Sequence, residues 1–291
     1  MTASLRAAPP AGVPRRVELD ETPFFPQAEH QCGPAALATA LVAAGFETDP
    51  QRLSTGVFLP AREGSLQVEM LAAARRAGAV ATRLPPTLDA AAREVAAGSA
   101  VVVLLNLGLA IYTRWHYAVL IGYDLDAGDA FLRSGTTRRA EMALATFELT
   151  WARSQHWAFV VLPPGRLPVT ATEAAVTDAL VGFERVAPPA EAAAGYSAAL
   201  ARWPDSLTLA IGLGNAKFGA GRLEAAANVF ERAAREHDSA AAWNNLARVR
   251  IALGQRSASH DAARRAVERA ESAEPRWRDA ARATLAETNR D

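Results

Sequence analysis

Cysteine occurs once in this chain, at Cys32. A single thiol excludes an internal disulfide and any cysteine-cluster metal site, and leaves the redox compartment open. Net charge is missing too: 31 Lys+Arg stand against 31 Asp+Glu. Such a balance offers no electrostatic footprint for nucleic acid or another polyanion. Long apolar runs are also absent. "AALATALVAAGF" and "AVVVLLNLGLAIY" fall short of the roughly 20 residues that cross a bilayer as a helix. "MTASLRAAPPAGVPRRVELDETP" has no apolar signal-peptide core. Residues 1–22 read as an extended, Pro-rich leader that should be poorly ordered. What is present is a folding-competent composition, 50% hydrophobic and 21% charged over 291 residues, enough for two domains.

Residues 23–163 mix helix and strand patterns. "GPAALATALVAAGF" (33–46) is apolar almost all round, as a helix at the centre of a domain is. "SLQVEMLAAARRAG" (65–78) and "TLDAAAREVAAG" (87–98) are amphipathic and end at glycines suited to a C-cap. "AVVVLLN" (100–106), "HYAVLIGYD" (116–124), "DAFLRSG" (129–135) and "HWAFVVLP" (156–163) read as strands. "DLDAG" is turn chemistry, which predicts a β-hairpin over 116–135.

A Pro-rich linker, 164–172, follows, and beyond it the strand signals stop. Residues 173–291 are Ala-rich and helical, with a hidden period. Leu213, Gly221 and Ala233 recur as Leu246, Gly254 and Ala266, all 33 residues on. A weaker copy sets Ala192, Tyr196 and Ala199 34 residues before Ala226, Phe230 and Ala233. Such periods mean stacked helical hairpins. This region resembles tetratricopeptide repeats: Leu213-Gly214, Gly221, Ala226, Phe230 and Ala233 fit that motif, and Trp243, Leu246, Gly254 and Ala266 fit the next copy. Ser259 and Ala263 depart from it, and "PRWRDAARATLAE" (275–287) reads as a capping helix. "GLGNAKFGAG" is rich in glycine, but no strand precedes it, so it is no phosphate loop.

Cys32 is followed by Gly33-Pro34 and the buried helix. Proline suits the first turn of a helix, which puts the thiol at the helix N-terminus. The helix dipole there favours thiolate, so its pKa should fall. The structural alternative is a small inert core cysteine. A nucleophile would also need a base. Of the five histidines, His30 is too close in sequence, His237 and His260 lie in the repeats, and His156 suits a solvated strand end. His116 opens a strand.

"PQAEHQCGPAALATAL" with "HYAVLIGYD" resembles the papain-like peptidases that process double-glycine bacteriocin leaders, and their stand-alone bacterial relatives. That pattern is a Gln shortly before Cys-Gly, then His-Tyr/Phe and an apolar strand ending Gly-Tyr-Asp. The resemblance covers about 23–163. It implies an α+β papain-like peptidase domain ahead of the all-α tetratricopeptide-repeat domain. It implies Cys32 as nucleophile, His116 as general base and acid, and Gln27 as the oxyanion-hole side chain, with Gln31 competing for that role. In the family an Asp on the next strand orients the His; here that stretch is "FLRSGTT". A hairpin turning near residue 126 pairs His116 with about residue 136, so the orienting group should be Ser134 or Thr136. Asn106 on a neighbouring strand is a further candidate. A neutral orienter predicts modest activity.

The leading reading is a cysteine peptidase acting through a Cys32 thioester, with repeats that dock a protein partner or the peptide substrate. "STGVFLPAREGSLQVEM" (54–70) would wall the cleft or be a plain surface loop. The alternative is a catalytically weak or inactive papain-like scaffold acting through its repeats. Acyl transfer on a non-peptide substrate ranks third, since transglutaminase-like enzymes carry Trp where Gly33 stands. No cofactor, metal or nucleic acid is expected. As it stands the chain suits the cytoplasm; a signal upstream would place it in the bacterial envelope, with the leader as tether.

Overall fold

In the computed structural model, which describes residues 1–27, 31–59, 64–108 and 112–289, the chain divides into two units, Met1–Val186 and Ala187–Asp291. The first contains, in order, α1 (Thr2–Ala7), β1 (Arg16–Glu18), α2 (Cys32–Ala43), α3 (Pro50–Val57), β2 (Phe58–Leu59), β3 (Gly64–Ser65) and α4 (Gln67–Arg76). Then come β4 (Val80–Arg83), α5 (Leu88–Ala96), β5 (Val101–Asn106), β6 (Trp115–Asp124) and β7 (Asp129–Ser134). The unit closes with β8 (Thr137–Ala143), α6 (Leu144–Ala152), β9 (Ala158–Leu162) and α7 (Glu173–Phe183). It is an α+β domain built on one antiparallel sheet of order β4-β9-β5-β6-β7-β8. β1 adds to β6 beyond the end of β5, pairing Val17 with Tyr123.

The sheet has a core on each face. On one side α2, α3 and α4 bring Leu37, Leu41, Val57 and Met70 against Val102, Val119 and Phe159. On the other, α1, α5 and α6 bring Leu5, Val95, Phe147 and Trp151 against Leu105, Leu120 and Val160. Every residue of α2 from Gly33 to Leu41 is buried, which accounts for its lack of a polar face. Each leucine so enclosed contributes on the order of 2 kcal/mol.

The β6–β7 hairpin turns where Asp124 Oδ1 accepts from the N–H groups of Asp126 and Ala127, at 3.0 and 2.9 Å. Near the turn Tyr123 pairs with Ala130, but further down Leu120 pairs with Leu132, so Ile121 is an extra, bulged residue. The bulge reverses the alternation of β6. Tyr117, Val119 and Ile121 face α2, whereas past the bulge Tyr123 faces the other way with Ala118 and Leu120. Gly122 beside it has no room for a Cβ, which would sit 2.5 Å from the Val17 carbonyl oxygen of β1.

Three expectations change. The 1–22 segment is ordered: Leu5 and Val13 are buried in the second core, and β1 completes an edge of β6 that would otherwise leave backbone groups unpaired. The 164–172 stretch is tied down, because buried Glu94 accepts from the Thr170 N–H at 2.7 Å and from its hydroxyl at 2.6 Å. Helix α7 then packs with α4 and β4, burying Val176, Leu180 and Phe183, so the division falls after Val186. His156 is not at a solvated strand end; its ring stands edge-on to Trp151 at 4.9 Å and its Nε2 is buried.

The second unit is all helix: α8 (Pro189–Arg202), α9 (Leu207–Gly219), α10 (Leu223–His237), α11 (Ala240–Ala252), α12 (Arg256–Ser272) and α13 (Arg278–Glu287) after a 3-10 turn. Each helix packs on the next. Small residues permit this. A Cβ on Gly212 would meet the Tyr196 ring at 2.3 Å, and one on Gly214 the Phe230 ring at 2.4 Å. Gly221 and Gly254, with φ of +73° and +70°, make the left-handed turns between successive helices at the sequence period.

Candidate active site

Cys32 is the first residue of α2, with Gln31 as N-cap and Pro34 in the first turn. Gly33 lets the 64–67 segment close over this helix end, since a Cβ there would lie 2.2 Å from Ser65 Oγ. His116 is the second residue of β6, in register with Leu105 of β5. Both side chains line one cavity of about 1010 Å³ within the first unit. Gln27, Gly64, Ser65, Leu66 and Gln67 belong to its lining; Arg114, Trp115, Tyr117, Arg153 and Gln155 are also part of it.

His116 Nε2 is 2.9 Å from Ser134 Oγ. The bulge at Ile121 accounts for the meeting. Below it the register would set His116 opposite residue 136, and Ser134 is the diagonal neighbour on the same face. A hairpin without the bulge would have put Gly135 there and turned Ser134 to the opposite face. With the ring proton on Nε2, donated to Ser134, the Nδ1 lone pair is left to take a proton.

The other two candidates for orienting His116 are engaged elsewhere or turned out. Thr136 is exposed in the β7–β8 turn. Asn106 is buried, and its Oδ1 accepts from the N–H groups of Gly108 and Arg114 at 3.0 and 2.9 Å, tying the β5–β6 connection.

Gln27 sits where β6 and β7 part. Their pairing ends at Val119–Arg133, leaving the Tyr117 peptide without a strand partner on that side. Gln27 fills the gap: its N–H donates to the Gly135 carbonyl at 3.0 Å and its Nε2 donates to the Tyr117 carbonyl at 3.4 Å. Gln31 points away, with its Oε1 accepting from Ser54 on α3 at 3.2 Å. His30 lies outside the described residues.

The electrostatics differ from the helix-dipole expectation. Burial pushes the Cys32 thiol up, and the backbone N–H groups of Tyr117, Gly33 and Cys32 pull it back only in part. Burial, followed by the positive charge of Arg114, holds His116 down at about 4. At neutral pH the pair is therefore thiol and neutral imidazole rather than thiolate and imidazolium. Tyr117 is pushed up by burial and by the thiolate form of Cys32.

Sequence reasoning missed Ser65, whose hydroxyl is buried without a partner at the cavity, and the Tyr117 peptide, which the cysteine and glutamine share. A main-chain role leaves no residue-type signal. It also missed Arg114, Trp115 and Arg153, although the first two directly precede His116. Residues 64–67 line the cavity, and 60–63 of the segment expected to wall the cleft lie outside the described residues. Among the described residues no cluster of metal-ligating side chains occurs, and no helix is long and apolar enough to cross a membrane.

No family model matches the chain, and no curated protein matches it. A solved structure from Bacillus anthracis, described as a "putative C39-like peptidase", is similar at 19% identity with a TM-score of 0.43. The similarity covers 50% of this chain and 97% of that one.

Proposed function

We propose that the first unit is a papain-like cysteine peptidase. The observation that carries this reading is Cys32 at a buried helix N-terminus sharing a cavity with a histidine whose Nε2 is held by Ser134. In the reaction Cys32 Sγ attacks a peptide carbonyl carbon while His116 Nδ1 takes the thiol proton. The tetrahedral oxyanion receives the Cys32 backbone N–H and Gln27 Nε2, which leaves the Tyr117 carbonyl to do so. His116 returns the proton to the leaving amine, a thioester remains, and water activated by the same imidazole hydrolyses it. Because both groups start neutral, proton transfer accompanies attack, and a serine stabilises the imidazolium less than a carboxylate would. That points to a slow, selective enzyme.

The all-helical unit, with its tetratricopeptide-like motif residues, docks a protein partner or the substrate on its stacked hairpins. A second reading is a binding protein that has kept the fold and little catalysis; the neutral Ser134 and the raised thiol favour it.

The test is cleavage of a diverse peptide library by the full chain, with intact-mass detection of an acyl adduct. Cleavage and a trapped thioester that both vanish in Cys32→Ala and His116→Ala support the peptidase. Absence of both with the wild-type chain overturns it in favour of the binding protein.

A further inference from the structure

The cavity at Cys32 has a marked imbalance of charge. Among the described residues lining it are two arginines, Arg114 and Arg153, and no aspartate or glutamate. No described carboxylate makes an ion pair with either arginine. The chain as a whole is neutral, so this is local placement and not a general basic bias.

Both residues are anchored, Arg114 by its main chain and Arg153 by its side chain. The Arg114 backbone N–H donates to Asn106 Oδ1, and the charge of its exposed side chain is felt at His116. Arg153 Nη1 donates to the carbonyls of Asn106, at 3.0 Å, and Gly108, which fixes its guanidinium; its Nε and Nη2 make no hydrogen bond among the described residues. Arg153 starts a turn in which Gln155 and His156, neither a glycine, take φ of +57° and +53°. Two successive left-handed residues are costly, and the turn is held by Ser154 Oγ donating to the Trp151 carbonyl at 2.8 Å and by the His156–Trp151 ring contact. Trp115, next to Arg114 in the chain, is 47% exposed and lines the same cavity. Two arginines at one cavity, one with its guanidinium fixed, and an exposed aromatic in the same lining suit a carboxylate on an apolar chain.

We propose that Arg114, Trp115 and Arg153 form the specificity face of the cleft and bind a peptide carrying a carboxylate close to the bond that Cys32 attacks. This rests on the peptidase reading for the position of the attacked bond, and not for the binding itself. Substrates or bound peptides would then be acidic, and a basic residue at the same place would be excluded by like charge.

The experiment is calorimetric titration of the full chain carrying Cys32→Ala with matched, end-blocked peptides that differ at one position, Glu, Gln or Lys. A fourth, Gln-containing peptide has a free C-terminus and separates a terminal carboxylate from a side-chain one. The Glu peptide, or the free-terminus peptide, should bind about tenfold more tightly than its neutral counterpart, with a preference that shrinks in salt. Arg114→Gln and Arg153→Gln should each remove most of that preference, and Arg153→Lys should restore part of it. Equal binding of all peptides, absence of binding, or a preference that survives both arginine substitutions overturns the proposal. Wild-type cleavage of the same peptides is scored separately. Arginine-dependent binding without cleavage sinks only the peptidase reading; cleavage indifferent to charge sinks only this one.

Discussion

The two units solve the same packing problem with different residues. In the first, large side chains fill both faces of a sheet, from Leu37 and Phe159 on one to Phe147 and Trp151 on the other. In the second, alanines dominate the core, and glycines at 212 and 214 are pressed against aromatic rings. Alanine and glycine cores gain by close approach of helices and repeat that approach at a fixed interval. Sheet cores gain by bulk, and leave the ends of strands and helices free to be shaped into a cavity. Regular packing therefore advertises itself along the chain, whereas a site assembled from Gln27, Cys32, His116 and Ser134 does not.

Glycine substitutions test that contrast most sharply. Gly214→Leu should destabilise the helical unit by about 3 kcal/mol, because the Phe230 ring fills the space, while cleavage of a short peptide is unchanged below the melting transition. Thermal unfolding followed by circular dichroism, with a parallel peptidase assay, reads both. Gly33→Ala makes the opposite pairing. Its Cβ displaces Ser65 from the wall of the cavity, so kcat/KM should drop by about tenfold with a stability loss of only about 1 kcal/mol. A large melting shift with normal catalysis would show Gly33 to be a packing residue like Gly214.

Ser134→Ala should lower kcat/KM by roughly fivefold, the worth of about 1 kcal/mol of hydrogen bonding to His116. Ser134→Asp should raise it and move the acid limb of the pH profile upward, since a carboxylate favours imidazolium. The smallest effect is on the wild-type acid limb itself. The base must be deprotonated, and His116 is held at about 4, so kcat/KM should fall only as pH drops through about 4. Stability should decline over the window from about 6.5 down to 4, because there the unfolded histidine binds a proton that the folded one does not. An acid limb near 6.5 would mean that His116 is more hydrated than its burial implies.

Much of the molecule was legible in its sequence for reasons that can be named. An all-round apolar helix behind Cys-Gly-Pro, the Asp-rich turn of the 116–135 hairpin and the 33-residue period each report local physics. The unread parts depend on tertiary partners. β8, "TRRAEMA", is largely exposed, with an alternation confined to Ala140 and Met142 and too short to betray it; it is a strand because β7 offers it an edge. The 1–22 segment is ordered by a free stretch of β6 and two apolar plugs, Leu5 and Val13. In the candidate site the lowered thiol pKa expected from helix position was wrong, because burial outweighs the N-terminal peptide groups. The left-handed turn at Gln155 and His156 contains no glycine to announce it.

The bulged Ile121 has an evolutionary consequence. It sets the face on which His116 stands, so the unit of change that matters there is length and not side-chain identity. One codon gained or lost between His116 and Leu120 would leave Cys32, Gln27, His116 and Ser134 all spelled correctly, yet turn the histidine to the other face of β6, away from Ser134. A descendant could thus fall silent, or be revived, by a single indel that no comparison of site residues would notice.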